Sequence, residues 1–201
     1  LHWDRPEGTG GWIEYDYGNP DYMWGDNAAD GYTGGVLEFA IRLDEQLLAP
    51  YLGGGFSLAR MAFMTYSVNS TYVVNIYTVD TDAGGAETWT LASTSPVTVT
   101  ADNSYPNWTI ADFETPVEVS LDVSRDYVMS VMVDLPTDPE HVLSDGTTGT
   151  WSLFSDSGPG NPPGFSDLLS DSTDAITGTP LFNAMGYNFL IAGYVDLASP
   201  E

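Results

Sequence analysis

Between positions 12 and 32 the aromatic residues Trp12, Tyr15, Tyr17, Tyr22, Trp24 and Tyr32 are set among the carboxylates Glu14, Asp16, Asp21, Asp26 and Asp30. Flat apolar rings can lie under the faces of sugar rings while carboxylates and amides bond the hydroxyls. Trp12, Tyr15, Tyr17, Tyr22 and Trp24 are therefore the candidate ligand-binding residues. The same rings would also suit a second task, covering the open edge of a β core or a neighbouring subunit.

Calcium is the one cofactor the residues suggest. Asp80 and Asp82 stand two apart beside Gly84 and Gly85, where a strand gives way to a turn, and a hard cation wants several oxygens at ~2.3–2.6 Å. Asp26, Asn27 and Asp30 form a second cluster, and Asp167, Asp171 and Asp174 a third. Asp80, Asp82, Asp26 and Asp30 are the metal candidates, although in a chain this rich in aspartate such groups also arise as solvated loop carboxylates. The run WIEYDYGN places Glu14 and Asp16 at the first two positions of the E-x-D-x-x-E pattern of laminarinase-type glycoside hydrolases, but the last position is Asn19. Two residues apart on one strand face lie ~6.5–7 Å apart, so a carboxylate pair is conceivable while the acid of the pattern is missing. A β-glucan hydrolase consequently ranks last among the readings. The histidines, His2 and His141, are too isolated to suggest a triad or a zinc site, and the absence of cysteine excludes disulfides, thiolate metal sites and a thiol nucleophile.

Against 29 acidic residues stand four arginines (Arg5, Arg42, Arg60, Arg125) and no lysine, a formal net charge of -25. Such a surface repels nucleic-acid backbones and anionic membranes. It fits a solvated surface suited to high salt or calcium sites built from carboxylates, ahead of a third reading, the simple solubility of a secreted protein. No stretch approaches the ~18 consecutive apolar residues of a membrane helix. The chain opens at Leu1 rather than methionine, so a leader or upstream domain is expected to have been removed and the protein to be extracellular or at the cell surface.

The elements that must position these residues read as strands. Gly35 to Leu43 alternates Leu37, Phe39, Ile41 and Leu43 against Glu38, Ala40 and Arg42, a half-buried antiparallel strand. Gly55 to Asp80 reads as a central hairpin, two apolar arms turning at Asn69 and Ser70. Asp44 is placed to cap a single short helix near 45–52, ended by Gly53 to Gly55. Thr81 to Ala86 is a turn, Tyr127 to Leu135 is apolar on both faces as a central strand would be, and Gly186 to Leu197 is a long closing strand. Residues 136 to 180 are loop-like except for a strand at Thr150 to Phe154. About ten short strands with turn signals between them predict an all-β antiparallel sandwich of jelly-roll type. It forms one domain over 1–201, with 1–34 as an aromatic, acidic arm.

Several segments carry a family resemblance: Leu1, Trp3 and Asp4 as an opening L-x-W-D, then LLAPYLGGGFSLARMAFMTYS, YVVNIYTVD, WTIADFETPVEV, SRDYVMSVMVD and the closing YNFLIAGYVD. Together they resemble a jelly-roll module of secreted multidomain proteins of Bacteroidetes and related bacteria, one often found beside type IX sorting domains. The resemblance implies a non-catalytic binding or adhesion role, with a glycan or a surface protein as partner. A second reading is a structural subunit of an extracellular filament or surface layer, in which copies add strands to one another's sheet edges. Self-repulsion at this charge carries its own expectation. Melting temperature should climb as sodium chloride rises from about 0.1 to about 2 M, by about 2–4 °C for each kcal/mol of repulsion relieved. A salt-independent melting temperature in scanning calorimetry would contradict it.

Overall fold

The computed structural model describes residues 10–14, 22–27, 35–43, 56–65, 70–104, 106–119, 125–135, 141–142, 148–156, 165–170, 183–185, 188–189 and 191–197. Among these, helical structure is confined to one 3-10 turn, Ala101–Asn103. The expected helix near 45–52 lies outside the described residues.

The strands are β1 (Gly10–Glu14), β2 (Tyr22–Asn27), β3 (Gly35–Leu43), β4 (Phe56–Phe63), β5 (Thr71–Thr81), β6 (Glu87–Thr98) and β7 (Thr109–Val119), followed by β8 (Arg125–Leu135), β9 (His141–Val142), β10 (Thr148–Asp156), β11 (Phe165–Ser170), β12 (Asn183–Met185), β13 (Asn188–Phe189) and β14 (Ile191–Leu197). They pair antiparallel in three sheets. One is four-stranded in the order β1-β14-β4-β7, one six-stranded in the order β12-β11-β3-β8-β5-β6, and a smaller one runs β13-β10-β2 with β9 also on β10. The chain is thus an all-β antiparallel sandwich.

Its core lies between the four-stranded and six-stranded sheets. Leu37, Phe39, Ile41 and Leu43 of β3, Tyr72, Val74 and Ile76 of β5, and Tyr127, Met129, Val131 and Val133 of β8 meet Leu58, Met61 and Phe63 of β4, Ala111, Phe113 and Val117 of β7, and Ile191 of β14. Phe189 of β13 enters the same core edge-on to Phe39, with ring centroids 5.2 Å apart. The alternation read in β3 holds for its inner face. Its other face is not simply solvated, however, since Glu38 and Ala40 are buried too and only Val36 among the described outer residues stands well exposed.

The chain from 56 to 81 is not a hairpin. β4 belongs to the four-stranded sheet and β5 to the six-stranded one, so they face each other across the core. The Phe63 and Tyr72 rings meet at 5.2 Å, and the Thr65 and Tyr72 hydroxyls share a 2.8 Å hydrogen bond. Two apolar arms look alike whether they pair side by side or pack face to face, because both need period-2 apolar residues. The true hairpin is β5–β6, one turn further on. There Gly85 adopts φ +83, its N–H bonds the Asp82 carbonyl at 3.0 Å, and Asp82 N–H bonds the Ala86 carbonyl at 2.9 Å.

Other boundaries shift for similar reasons. β6 is one continuous strand, with a bulge at Ala92 between the partners of Ile76 and Tyr77. β7 runs on through Pro116 because residues 113–116 bulge opposite the single residue Ala59 of the facing β4, and the bulge accommodates the proline. The long closing strand is divided between β13 and β14, which serve different sheets, and β2 and β11 arise in segments that read as loops.

Gly193 of β14 lies against the end of the Met129 side chain of β8, where the two layers meet. A Cβ at this position would fall within the van der Waals envelope of the Met129 sulfur and lie 2.7 Å from Met129 Cε. Gly193→Val should therefore cost about 1–3 kcal/mol through overpacking, measured by urea unfolding. Met129→Ala in the same chain should recover part of that loss, whereas strictly additive losses would show that the sheets do not meet at this point.

Candidate functional site

The outer face of the four-stranded sheet carries one row that crosses all four of its strands. Trp12 of β1 is paired with Tyr194 of β14, Tyr194 with Arg60 of β4, and Arg60 with Asp112 of β7. Directly opposed residues project to the same face, and the inner partners Met61, Ala111 and Ile191 are fixed in the core, so alternation turns these four outward together. Trp12 and Tyr194 meet edge to face with centroids 5.3 Å apart. The Arg60 guanidinium carbon lies 5.3 Å from the centre of the Tyr194 ring, and Arg60 Nε bonds Asp112 Oδ1 at 2.9 Å.

These contacts contribute little to holding the sheet together. Edge-to-face rings contribute ~0.5–1.5 kcal/mol beyond their buried area, an exposed cation over a ring ~0.5–1, and an exposed ion pair ~0–1. The side chains of Arg60 and Asp112 are 51% and 73% exposed, so their pair belongs at the low end. What the row does offer is two half-buried rings steeply inclined to each other, then a guanidinium fork of donors, then carboxylate acceptors, in a line.

Of the residues expected to bind, Trp12 stands at the end of this row. Tyr22 and Trp24 lie on β2 in a different sheet, opposite Ser155 and Leu153, and Tyr15 and Tyr17 lie outside the described residues. Tyr194, Arg60 and Asp112 escaped the sequence reading, since only strand register brings together residues so far apart in the chain. The scarcity of cations, which makes any exposed arginine worth notice, was the one available signal.

Of the metal candidates, Asp80 and Asp82 hold protein partners. Arg125 donates through Nε at 2.6 Å and Nη2 at 3.0 Å to the two carboxylate oxygens of Asp80. Asp82 Oδ1 accepts from the backbone N–H groups of Gly84 at 2.8 Å and Ala86 at 2.9 Å, closing the hairpin turn. Asp26 is opposite Thr150 in the β2–β10 pair, and Asp30 lies outside the described residues. Among the described residues no group of three or more His, Asp or Glu gathers around a common point. Of the carboxylates considered for hydrolysis, Glu14 ends β1 opposite Ala192, and Asp16 lies outside the described residues.

A second polar cluster lies on the outer face of the six-stranded sheet. Glu38 is 4% exposed, and its Oε1 accepts hydrogen bonds from Asn75 Nδ2 at 3.0 Å, Tyr77 OH at 3.1 Å and Ser130 Oγ. Asn75 Oδ1 in turn accepts from Thr94 Oγ1 at 2.8 Å. A carboxylate taken out of water needs such donors. Those of Glu38 come from β5 and β8, and Thr94 adds β6, so the cluster ties four adjacent strands together. Nearby, Arg42 bridges Asp126 and Glu87, with Nε 2.7 Å from Asp126 Oδ2 and Nη2 2.8 Å from Glu87 Oε1. Burial would lower the pKa of Arg42, but its bonds to Glu87 and Asp126 raise it overall; the Arg42 bond in turn holds Glu87 below the usual carboxylate range. Burial, and then the charge and hydrogen bond of Glu38, push the Tyr77 phenol well above its ordinary range.

No family model matches the chain, and no curated protein matches it in sequence. Among solved structures it is similar to a clostridial cysteine protease, Cwp84, after propeptide cleavage, with a TM-score of 0.52 at 12% identity. The likeness covers 96% of this chain and 41% of that one, so the chain spans under half the length of that neighbour. At this identity the likeness concerns the fold.

The Tyr77 shift has a directional consequence. Its folded pKa lies above the unfolded value near 10, so its contribution to stability is complete below about pH 10 and is lost as pH rises from there. Tyr77→Phe should lower stability at neutral pH by about 1–2 kcal/mol and make the decline above about pH 10 shallower. Chemical denaturation from neutral to alkaline pH measures both, and an unchanged alkaline slope would contradict the assignment.

Proposed function

We propose that this chain is a non-catalytic extracellular binding module whose ligand is a glycan, held on the outer row of the four-stranded sheet. The observation that carries the reading is the in-register line Trp12–Tyr194–Arg60–Asp112. It sets apolar ring surface beside donors and acceptors, as sugar recognition requires, at a place where the contacts contribute little to stability.

Chemistry on the substrate finds less support. The protease likeness cannot extend to a thiol mechanism, because this chain has no cysteine, and the buried Glu38 is committed to three donors. Strand addition at the β6 edge is disfavoured by Pro96 and by the bulge in that strand, features that discourage edge pairing. Serine hydroxyls also tie β6 across to β7, Ser93 to the Thr115 carbonyl at 3.2 Å and Ser95 to that of Asp112 at 2.9 Å. Among the described residues no helix is long and apolar enough to cross a membrane.

Trp12→Ala and Tyr194→Ala should each weaken retention on immobilised polysaccharide by about tenfold or more, the equivalent of ~1.4 kcal/mol, while the chain remains folded with a cooperative melt lowered by only a few degrees. A glycan array followed by affinity electrophoresis measures this. Binding indifferent to both substitutions would overturn the assignment.

A further inference from the structure

The charge arrangement within the row deepens the glycan reading and rests on it. Arg60 is the only described arginine on the four-stranded sheet; Arg42 and Arg125 belong to the six-stranded one and are held by carboxylates there. The positive charge of Arg60 is itself compensated, since Asp112 bonds its Nε at 2.9 Å. The chain around it carries a net charge of -25. An anionic ligand would have to displace Asp112 from Arg60 and approach against that field. A neutral, hydroxylated ligand meets neither obstacle. Its hydroxyl oxygens can accept from the outer guanidinium N–H groups while a neighbouring hydroxyl donates to the Asp112 carboxylate, so a vicinal diol satisfies both members without parting them.

Size is set by register. The row spans three interstrand spacings of ~4.8 Å, about 14 Å in all, longer than a single sugar ring, and it runs perpendicular to the strands. The aromatic end, Trp12 and Tyr194, would take the apolar face of one sugar and the Arg60–Asp112 end the hydroxyls of another. We infer that the row selects a neutral glycan chain of several sugar units, laid across β1, β14, β4 and β7, and discriminates against uronate- or sulfate-bearing chains.

The test compares neutral polysaccharides (a β-1,3-glucan, a xylan and a galactomannan) with polygalacturonate, by affinity electrophoresis and calorimetry at about 0.1 M and about 1 M sodium chloride. At ~1 M the Debye length is ~3 Å, so long-range repulsion is removed and only the local pairing discriminates. The wild-type chain should bind at least one neutral polymer at both salt concentrations, with affinity rising from monosaccharide to oligosaccharide, and should not bind polygalacturonate at either. Asp112→Asn, at a side chain 73% exposed, leaves Arg60 uncompensated and should gain polygalacturonate binding at high salt by about tenfold or more. Wild-type binding of polygalacturonate at high salt as tight as that of the neutral polymer, and lost in Trp12→Ala, would overturn the selectivity while leaving the glycan site standing. An unchanged preference in Asp112→Asn would overturn it likewise. Failure to bind any of these polymers, with Trp12→Ala making no difference, would remove the site and the selectivity together.

Discussion

The structure depends on the dry contact between two sheets of unequal size. Nearly every described residue that faces inward from β3, β5, β8, β4 and β7 is aliphatic or aromatic, and at Gly193 of β14 any side chain would meet the end of Met129. Because strand side chains alternate with a period of two, fixing the inner set fixes the outer one, and a slip by one residue would exchange them. The row on the outer face is thus a consequence of the core. Met61, Ala111 and Ile191 hold the register that brings Arg60, Asp112 and Tyr194 into line with Trp12.

The two outer faces are used differently. On the six-stranded sheet Glu38, Asn75 and Ser130 are buried and mutually satisfied. Glu38 gathers donors from two other strands, Arg42 is shared by two carboxylates, and Tyr77 is kept protonated by its surroundings. Such a network specifies which strands sit side by side and has little left to offer a ligand. On the four-stranded sheet the polar pair is exposed and its neighbours are half-buried rings. Its groups retain hydrogen-bonding capacity, which is what a binding surface needs.

Much of the fold was legible in the chain. The inner face of β3, the central position of β8, the turn at Thr81 to Ala86 and the all-β sandwich come from alternation, apolarity on both faces and glycine at a turn. What was not legible depends on partners distant in sequence. A face-to-face crossing of β4 and β5 has the same pattern as a hairpin, and the ion pair of Asp80 with Arg125 joins residues 45 positions apart. The candidate row was half legible. Trp12 stood out by its type and its acidic surroundings, whereas Tyr194, Arg60 and Asp112 become its neighbours only through strand pairing.

An amide and indole chemical-shift map of the isotopically labelled chain, titrated with a neutral oligosaccharide, tests the central claim most directly. The perturbations should centre on the Trp12 indole and on the backbone of Arg60, Asp112 and Tyr194, with the Arg60 side chain shifting alongside them. A map centred instead around Glu38, Asn75 and Tyr77 on the opposite sheet, or one that leaves Trp12 unmoved while other positions saturate, would contradict it.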